Sequence, residues 1–318
     1  MSKKQSILFI IPVLLIAILL GPTVDTSFTP KIYSIEDPEK YIQEEESKIQ
    51  NLRENTNKLI LWNNPELKNQ TDYSIIFLHG YSASRMELHP IPENLAKNLG
   101  ANIFLTRMSG HGAGVDDLGY ARVNDWLNDA REAIAIGKIL GKRVLFIGNS
   151  TGATLGNWLM GQKEGESIYT YIFISPNFHP KDPFSDLALL PWGNLLVRLT
   201  LGEYREWKPK NAEIAKYWNY KTPYKAILNL MGLVKVAEKV DVSQVRTPLL
   251  IIYSPEDRVI SAKEVERKFE IFGSSPKKLV PFTESEDSDQ HILGGNIVSP
   301  STNNKLNDII LSFLYSIQ

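Results

Sequence analysis

Arg143-Val144-Leu145-Phe146-Ile147-Gly148-Asn149-Ser150-Thr151-Gly152 is the stretch that decides how the chain folds. Its first half is short and apolar, as a strand buried on both faces of a parallel sheet must be. A helix begins near Thr151, so Gly148-x-Ser150-x-Gly152 bridges strand to helix. In that setting a strained turn lifts a serine hydroxyl above the sheet edge, while the glycines keep side chains out of the turn. Without the setting, Ser150 is an ordinary polar turn residue. With it, Ser150 is the candidate nucleophile.

The same alternation extends to both sides. Leu59-Ile60-Leu61-Trp62 reads as a short strand, and Ser74–Leu78 as a second, wholly apolar one. Residues 92–99 are helical by pattern, 101–106 form a strand, and 124–140 a long helix with Trp126, Leu127, Ala130, Ala133, Ile134 and Ile136 toward the core. Strands follow at 168–174, 249–253 and 278–282, and a closing helix at 306–315. This order predicts an α/β fold with a doubly wound, mostly parallel sheet. Residues 176–246 break the rhythm. They carry no convincing strand, and they place apolar clusters at Leu187–Trp192 and Leu195–Val197 before helical stretches near 212–217 and 223–236. An insertion between sheet strands reads as a helical cap over one sheet edge.

Acyl transfer needs a nucleophile, a base, a group that orients the base, and donors for the oxyanion. The loop Leu78-His79-Gly80-Tyr81 follows a strand end, so the backbone N–H groups of Tyr81 and Thr151 are the candidate oxyanion donors. His79 fits a structural histidine better than a proton carrier. Past the strand at 249–253 stands Ser254-Pro255-Glu256-Asp257-Arg258-Val259, with Asp257 the candidate orienting acid and Glu256 the fallback. Of the 5 histidines, His291 follows the last strand and precedes the closing helix. The chain order is then Ser150, Asp257, His291.

With these residues in place, the chain resembles the α/β-hydrolase superfamily, in particular the branch of monoacylglycerol lipases, lysophospholipases and small bacterial carboxylesterases. The resemblance rests on Leu78-His79-Gly80, Ser109-Gly110-His111-Gly112, Gly148–Gly152, Ser254–Val259 and His291, and spans residues 58–318. It implies the α/β-hydrolase fold with a helical cap, a serine hydrolase acting on acyl or glyceryl esters, no cofactor, and a site-shaping role for the loop of His111. Two departures stand out. Only one clear strand precedes His79, and a long loop, 292–305, separates His291 from the closing helix.

Composition narrows the alternatives. Hydrophobic content of 43% and charged content of 22% over 318 residues suit a folded domain. A net charge of −1 gives nucleic acid no purchase, and with 0 cysteines there are no disulfides or thiolate metal sites. No metal-binding motif stands out. Lys3 and Lys4 precede the apolar run Ile7–Leu20, the layout of a signal peptide or of an uncleaved membrane anchor; from Ser6 to Val24 it would span about 28 Å as a helix. Residues 1–22 are thus expected to export the protein or tie it to a membrane, with 23–57 a linker and surface helix starting at Asp37-Pro38 and running to about Asn51, and 58–318 the catalytic domain. The expected substrate is a small ester or lipid of short to medium acyl chain, held in part by the cap residues Leu190, Trp192 and Leu196. A peptidase or amidase on the same fold is the second reading, with Glu203, Glu206 and Glu213 as candidate amine-binding acids. A non-catalytic binding module is the third; it would be marked by loss of Ser, Asp or His, and none is lost.

Overall fold

The computed structural model describes residues 19–317. In chain order the elements are α1 (Pro38–Ser47), β1 (Leu59–Leu61), β2 (Thr71–Leu78), α2 (Ile91–Leu99), β3 (Asn102–Leu105), α3 (Asp117–Tyr120), α4 (Val123–Leu140), β4 (Gly141–Asn149), α5 (Thr151–Leu159) and β5 (Ile168–Ile174). There follow α6 (Gly193–Leu201), β6 (Tyr204–Glu206), α7 (Ala212–Tyr217), β7 (Lys221–Pro223), α8 (Tyr224–Glu238), β8 (Leu249–Tyr253), α9 (Ala262–Ile271), β9 (Lys277–Pro281) and α10 (Asn303–Ser316).

Seven strands form one sheet in the order β1-β3-β2-β4-β5-β8-β9. β1 runs antiparallel to β3 and every other pair is parallel. The apolar runs divide between two faces with the period of two that a strand imposes. Ile76, Leu78, Phe146 and Phe173 join the core under α4, α5 and α8, whereas Ile75, Phe77, Leu145 and Ile147 join the core under α2 and α10. Burying each such side chain stabilises the fold by about 1.5–3 kcal/mol. Because β2, β4, β5, β8 and β9 are parallel neighbours, their C-terminal ends share one edge. Every loop singled out above opens onto that edge.

The chain before the sheet is tied down. Asp37 caps α1 by accepting from the Glu39 and Lys40 N–H groups. The helix ends at Ser47, short of the expected Asn51, which takes a positive φ of 55°. Although its outer face is exposed, Ile42 is buried, Glu46 pairs with Arg107, and the Tyr41 hydroxyl donates to Glu132 at 2.7 Å. Lys58 meets the same buried Glu132. The expected membrane segment falls outside the described residues except for Leu19 and Leu20, both exposed. Among the described residues no helix is long and apolar enough to cross a membrane.

Two expectations need correction. The region 176–246 does contain strands: β6 and β7 pair antiparallel. Each has three residues, and all of β6 is exposed, so neither carries apolar alternation. The loop after His291 is shorter than expected because α10 starts at Asn303, and it is well packed. Leu293 is buried, Asn303 accepts from the Gly295 N–H at 2.7 Å, and Thr302 donates to the Leu293 carbonyl at 2.7 Å.

Candidate active site

The turn from β4 to α5 holds Ser150 at φ 50°, ψ −110°, a conformation that costs an L-residue energy and persists only where the surroundings enforce it. Here the Ser150 N–H donates to the Ile174 carbonyl at 2.9 Å, and its carbonyl accepts from Ala153, Thr154 and Asn177. The glycines are required by close approach. A Cβ on Gly152 would fall 2.0 Å from the Leu78 carbonyl oxygen at the end of β2, and one on Gly148 would meet the Gly152–Ala153 backbone at 2.6 Å.

The structure brings Ser150, His291 and Asp257 into one line. His291 Nε2 lies 3.0 Å from Ser150 Oγ, and its Nδ1 lies 2.7 Å from Asp257 Oδ2. Nδ1 donates to the carboxylate, leaving Nε2 to accept from the serine hydroxyl. Asp257 is fully buried, and its other oxygen accepts from the Val259 and Ile260 N–H groups at 2.7 and 2.9 Å. Glu256, its neighbour, is exposed and makes no such contact. Burial pushes the His291 imidazole down, but the Asp257 carboxylate, with smaller help from Glu87 and Asp287, outweighs it and holds the ring above its ordinary value.

The loop carrying His291 is fixed from three sides. Ser175 donates to its carbonyl at 2.6 Å, and Asp287 accepts from its N–H at 3.2 Å and from that of Ile292 at 3.1 Å. Lys210, from the cap, donates to Asp287 at 2.8 Å, Ser288 at 2.7 Å and Asp289 at 3.1 Å. The acidic run 284–289 therefore fastens cap to loop.

Thr151 opens α5 directly after the serine, and Tyr81 follows the end of β2, the strand beside β4. Among the described residues no protein acceptor takes either backbone N–H. His79 is structural. Its Nδ1 donates to the Gly80 carbonyl at 2.9 Å, its Nε2 accepts from the Met108 N–H at 3.2 Å, and burial pushes it down to about 4. The His111 ring packs edge-on against His79 and Tyr81, which gives the loop 109–112 a place behind the site.

The cap covers this edge, and only 6% of Ser150 and 8% of His291 remain exposed. Its Asn219 N–H donates to the Ser82 carbonyl at 2.7 Å. Leu190, Trp192 and Leu196 are 47%, 41% and 40% exposed. It is Ala188 and Val197 that turn inward, onto Leu228 and Met231 of α8. Ile214, Tyr217 and Trp218 instead pack with Ala83 and Met86 of the Tyr81 loop and with Ile292 beside His291. Sequence reasoning missed them, although the aromatic pair closing the short helix α7 is a visible signal. It also missed Glu87 and Lys210. The acids Glu203 and Glu206 are exposed and pair with Arg198 and Lys221, and Glu213 is exposed. Among the described residues no group of three or more His, Cys, Asp or Glu side chains is arranged to hold a metal.

Comparison with known proteins places this geometry. The family described as serine aminopeptidase, S33, matches residues 69–285. A thermostable monoacylglycerol lipase from Bacillus sp. (strain H-257) is 25% identical over 208 residues, 65% of this chain and 79% of that one. Among solved structures, a metagenome-derived lipolytic enzyme superposes with a TM-score of 0.65 at 20% identity, covering 84% of this chain and 100% of that one. The monoacylglycerol lipase of Paleococcus ferrophilus does so with a TM-score of 0.60 at 16% identity, over 82% and 98%. At those identities the structural likeness speaks for the fold.

Proposed function

The chain belongs to the serine aminopeptidase S33 family of α/β-hydrolases, and from that premise we propose that it hydrolyses acyl or glyceryl esters of short to medium chain through an acyl-enzyme on Ser150. The observation that carries the reading is the buried line Ser150–His291–Asp257, with contacts of 3.0 and 2.7 Å. His291 Nε2 takes the hydroxyl proton as Ser150 Oγ attacks the ester carbonyl, and the proton passes to the leaving alcohol. Asp257 keeps the tautomer and stabilises the imidazolium. The Tyr81 and Thr151 N–H groups receive the negative charge on the tetrahedral oxygen. Water then repeats the sequence to release the acid.

Ester rather than amine-bearing substrates are favoured by the cap. Its acids Glu203, Glu206 and Glu213 face solvent, while the cap side chains that pack on the Tyr81 loop and on Ile292, beside His291, are Ile214, Tyr217 and Trp218. The relatives named as monoacylglycerol lipases point the same way. We place the enzyme at a membrane or outside the cytoplasm. Where the apolar run Ile7–Leu20 ends, the Trp192 N–H donates to the Pro22 carbonyl at 3.0 Å. The flanking cap stretch carries the exposed Phe184, Leu187, Leu190, Leu195 and Leu199, apolar side chains suited to a lipid surface.

Fluorophosphonate labelling with a panel of p-nitrophenyl esters and aminoacyl amides tests this reading. Ser150→Ala should abolish labelling, and the wild type should prefer esters, rising with acyl length and then levelling. Labelling that survives in Ser150→Ala, or amide turnover above ester turnover, would overturn it.

A further inference from the structure

Glu87 is a buried acid that the triad does not use, only 3% exposed. Its Oε2 accepts from the Gly80 N–H at 2.6 Å. Gly80 lacks a Cβ where Glu87 needs the space, since an added Cβ would fall 2.7 Å from Oε1. The far side of Gly80 is held as well: its carbonyl accepts from His79 Nδ1 at 2.9 Å and from the Ala83 N–H at 3.3 Å. That carbonyl belongs to the same planar peptide as the Tyr81 N–H and points opposite to it. Fixing Gly80 at both ends therefore sets where the Tyr81 N–H aims. Glu87 is itself wedged toward the loop of His291, because a Cβ on Gly295 would lie 2.4 Å from the Glu87 carbonyl oxygen.

We propose that Glu87 is a positioning residue for the oxyanion loop, its buried carboxyl holding Gly80 so that the Tyr81 N–H meets the oxygen of the tetrahedral intermediate. This rests on the reading of Ser150 as nucleophile and Tyr81 as donor. An ionisable group is a costly way to satisfy one N–H in an apolar interior. Burial pushes Glu87 up to about 7, with the Gly80 N–H, Asn149 and His291 pulling it back. His291 is the titratable group facing it from the neighbouring loops, and the Glu87 charge in turn raises His291.

The test compares Glu87→Ala and Glu87→Gln in the full chain, with active sites titrated by fluorophosphonate burst. In Glu87→Ala, kcat per titrated site on a short ester should fall about 10- to 100-fold, with KM nearly unchanged. Affinity for a trifluoromethyl ketone transition-state analogue should fall in step. Glu87→Gln keeps an acceptor for Gly80, so it should recover most of kcat. If Glu87→Ala does not fold, Gly80→Ala displaces the carboxyl instead and should lower kcat in the same way. Unchanged kcat per site and unchanged ketone affinity in the folded variants would overturn the proposal, as would a Glu87→Gln variant no better than Glu87→Ala. Failure of the parent reading is separate, since it appears as labelling that persists in Ser150→Ala.

Discussion

Asp257→Asn replaces one carboxylate oxygen with an NH2 group, and the surroundings of Asp257 dictate how the new amide turns. One carboxylate oxygen accepts from two backbone N–H groups, Val259 at 2.7 Å and Ile260 at 2.9 Å. An NH2 group placed there would face two donors in a fully buried position, leaving unpaired groups at about 1–3 kcal/mol each. The amide oxygen must therefore keep that side, which sends the NH2 toward His291 Nδ1, now 2.7 Å from the acid. Nδ1 is forced to accept, so the ring proton moves to Nε2 and points at Ser150 Oγ. That tautomer cannot take the hydroxyl proton. The expected loss is on the order of 10⁴ in kcat, about 5.5 kcal/mol of transition-state stabilisation, with KM little altered. Glu256→Gln, at an exposed side chain, should stay within twofold of wild type on the order-of-magnitude scale of surface changes. The pH dependence has a definite sign. Asp257 is the main group lifting His291 above its ordinary value, so in Asp257→Asn the residual acid limb should shift to lower pH. Steady-state kinetics on a soluble ester between pH 5 and 9 reads both effects. A loss below tenfold, or a Glu256→Gln variant more impaired than Asp257→Asn, would refute the reasoning.

Gly152→Ala should be destabilised by about 1–3 kcal/mol and lose activity, because its Cβ would sit 2.0 Å from the Leu78 carbonyl oxygen; an unchanged thermal midpoint would contradict the packing described. Ile214→Ala should reduce kcat/KM for the longest accepted acyl ester severalfold relative to acetate, in line with about 0.8 kcal/mol per buried methylene. Trp192→Ala should leave that ratio alone in solution, and a flattened profile in Trp192→Ala with none in Ile214→Ala would return the acyl site to the outer cap.

That Ser150, Asp257 and His291 come together was legible because each signal is local. An apolar strand run ends, a residue of the right chemistry follows, and parallel neighbours bring all such ends to one edge. The two sheet faces were legible for the same reason, since Ile75–Leu78 and Val144–Ile147 must bury alternate side chains on both sides. The choice between Asp257 and Glu256 was not legible from type or position. It depends on which side chain the turn points inward, and the Val259 and Ile260 N–H groups cap Asp257 while Glu256 stays exposed.

What escaped the sequence depends on contacts between distant segments. β6 and β7 are three residues each and pair through backbone groups alone, so no side-chain period announces them. Glu87 reads as one more loop acid until the missing Cβ of Gly80 makes room for it. The cap shows the limit most plainly, because hydrophobicity states that a side chain has a reason to leave water without naming the surface that receives it. Leu190, Trp192 and Leu196 satisfy the same pattern as Ala188 and Val197 and lie on the same stretch of chain. Yet only the second pair reaches α8: Ala188 does so from the short turn Ser185–Leu189, and Val197 from the one narrow stripe of α6 that can face the domain. Leu190, Leu195, Leu196 and Leu199 stay exposed, and packing against the Tyr81 loop and Ile292 is left to α7, whose Ile214 and Tyr217 sit three apart and so share one face of its helix.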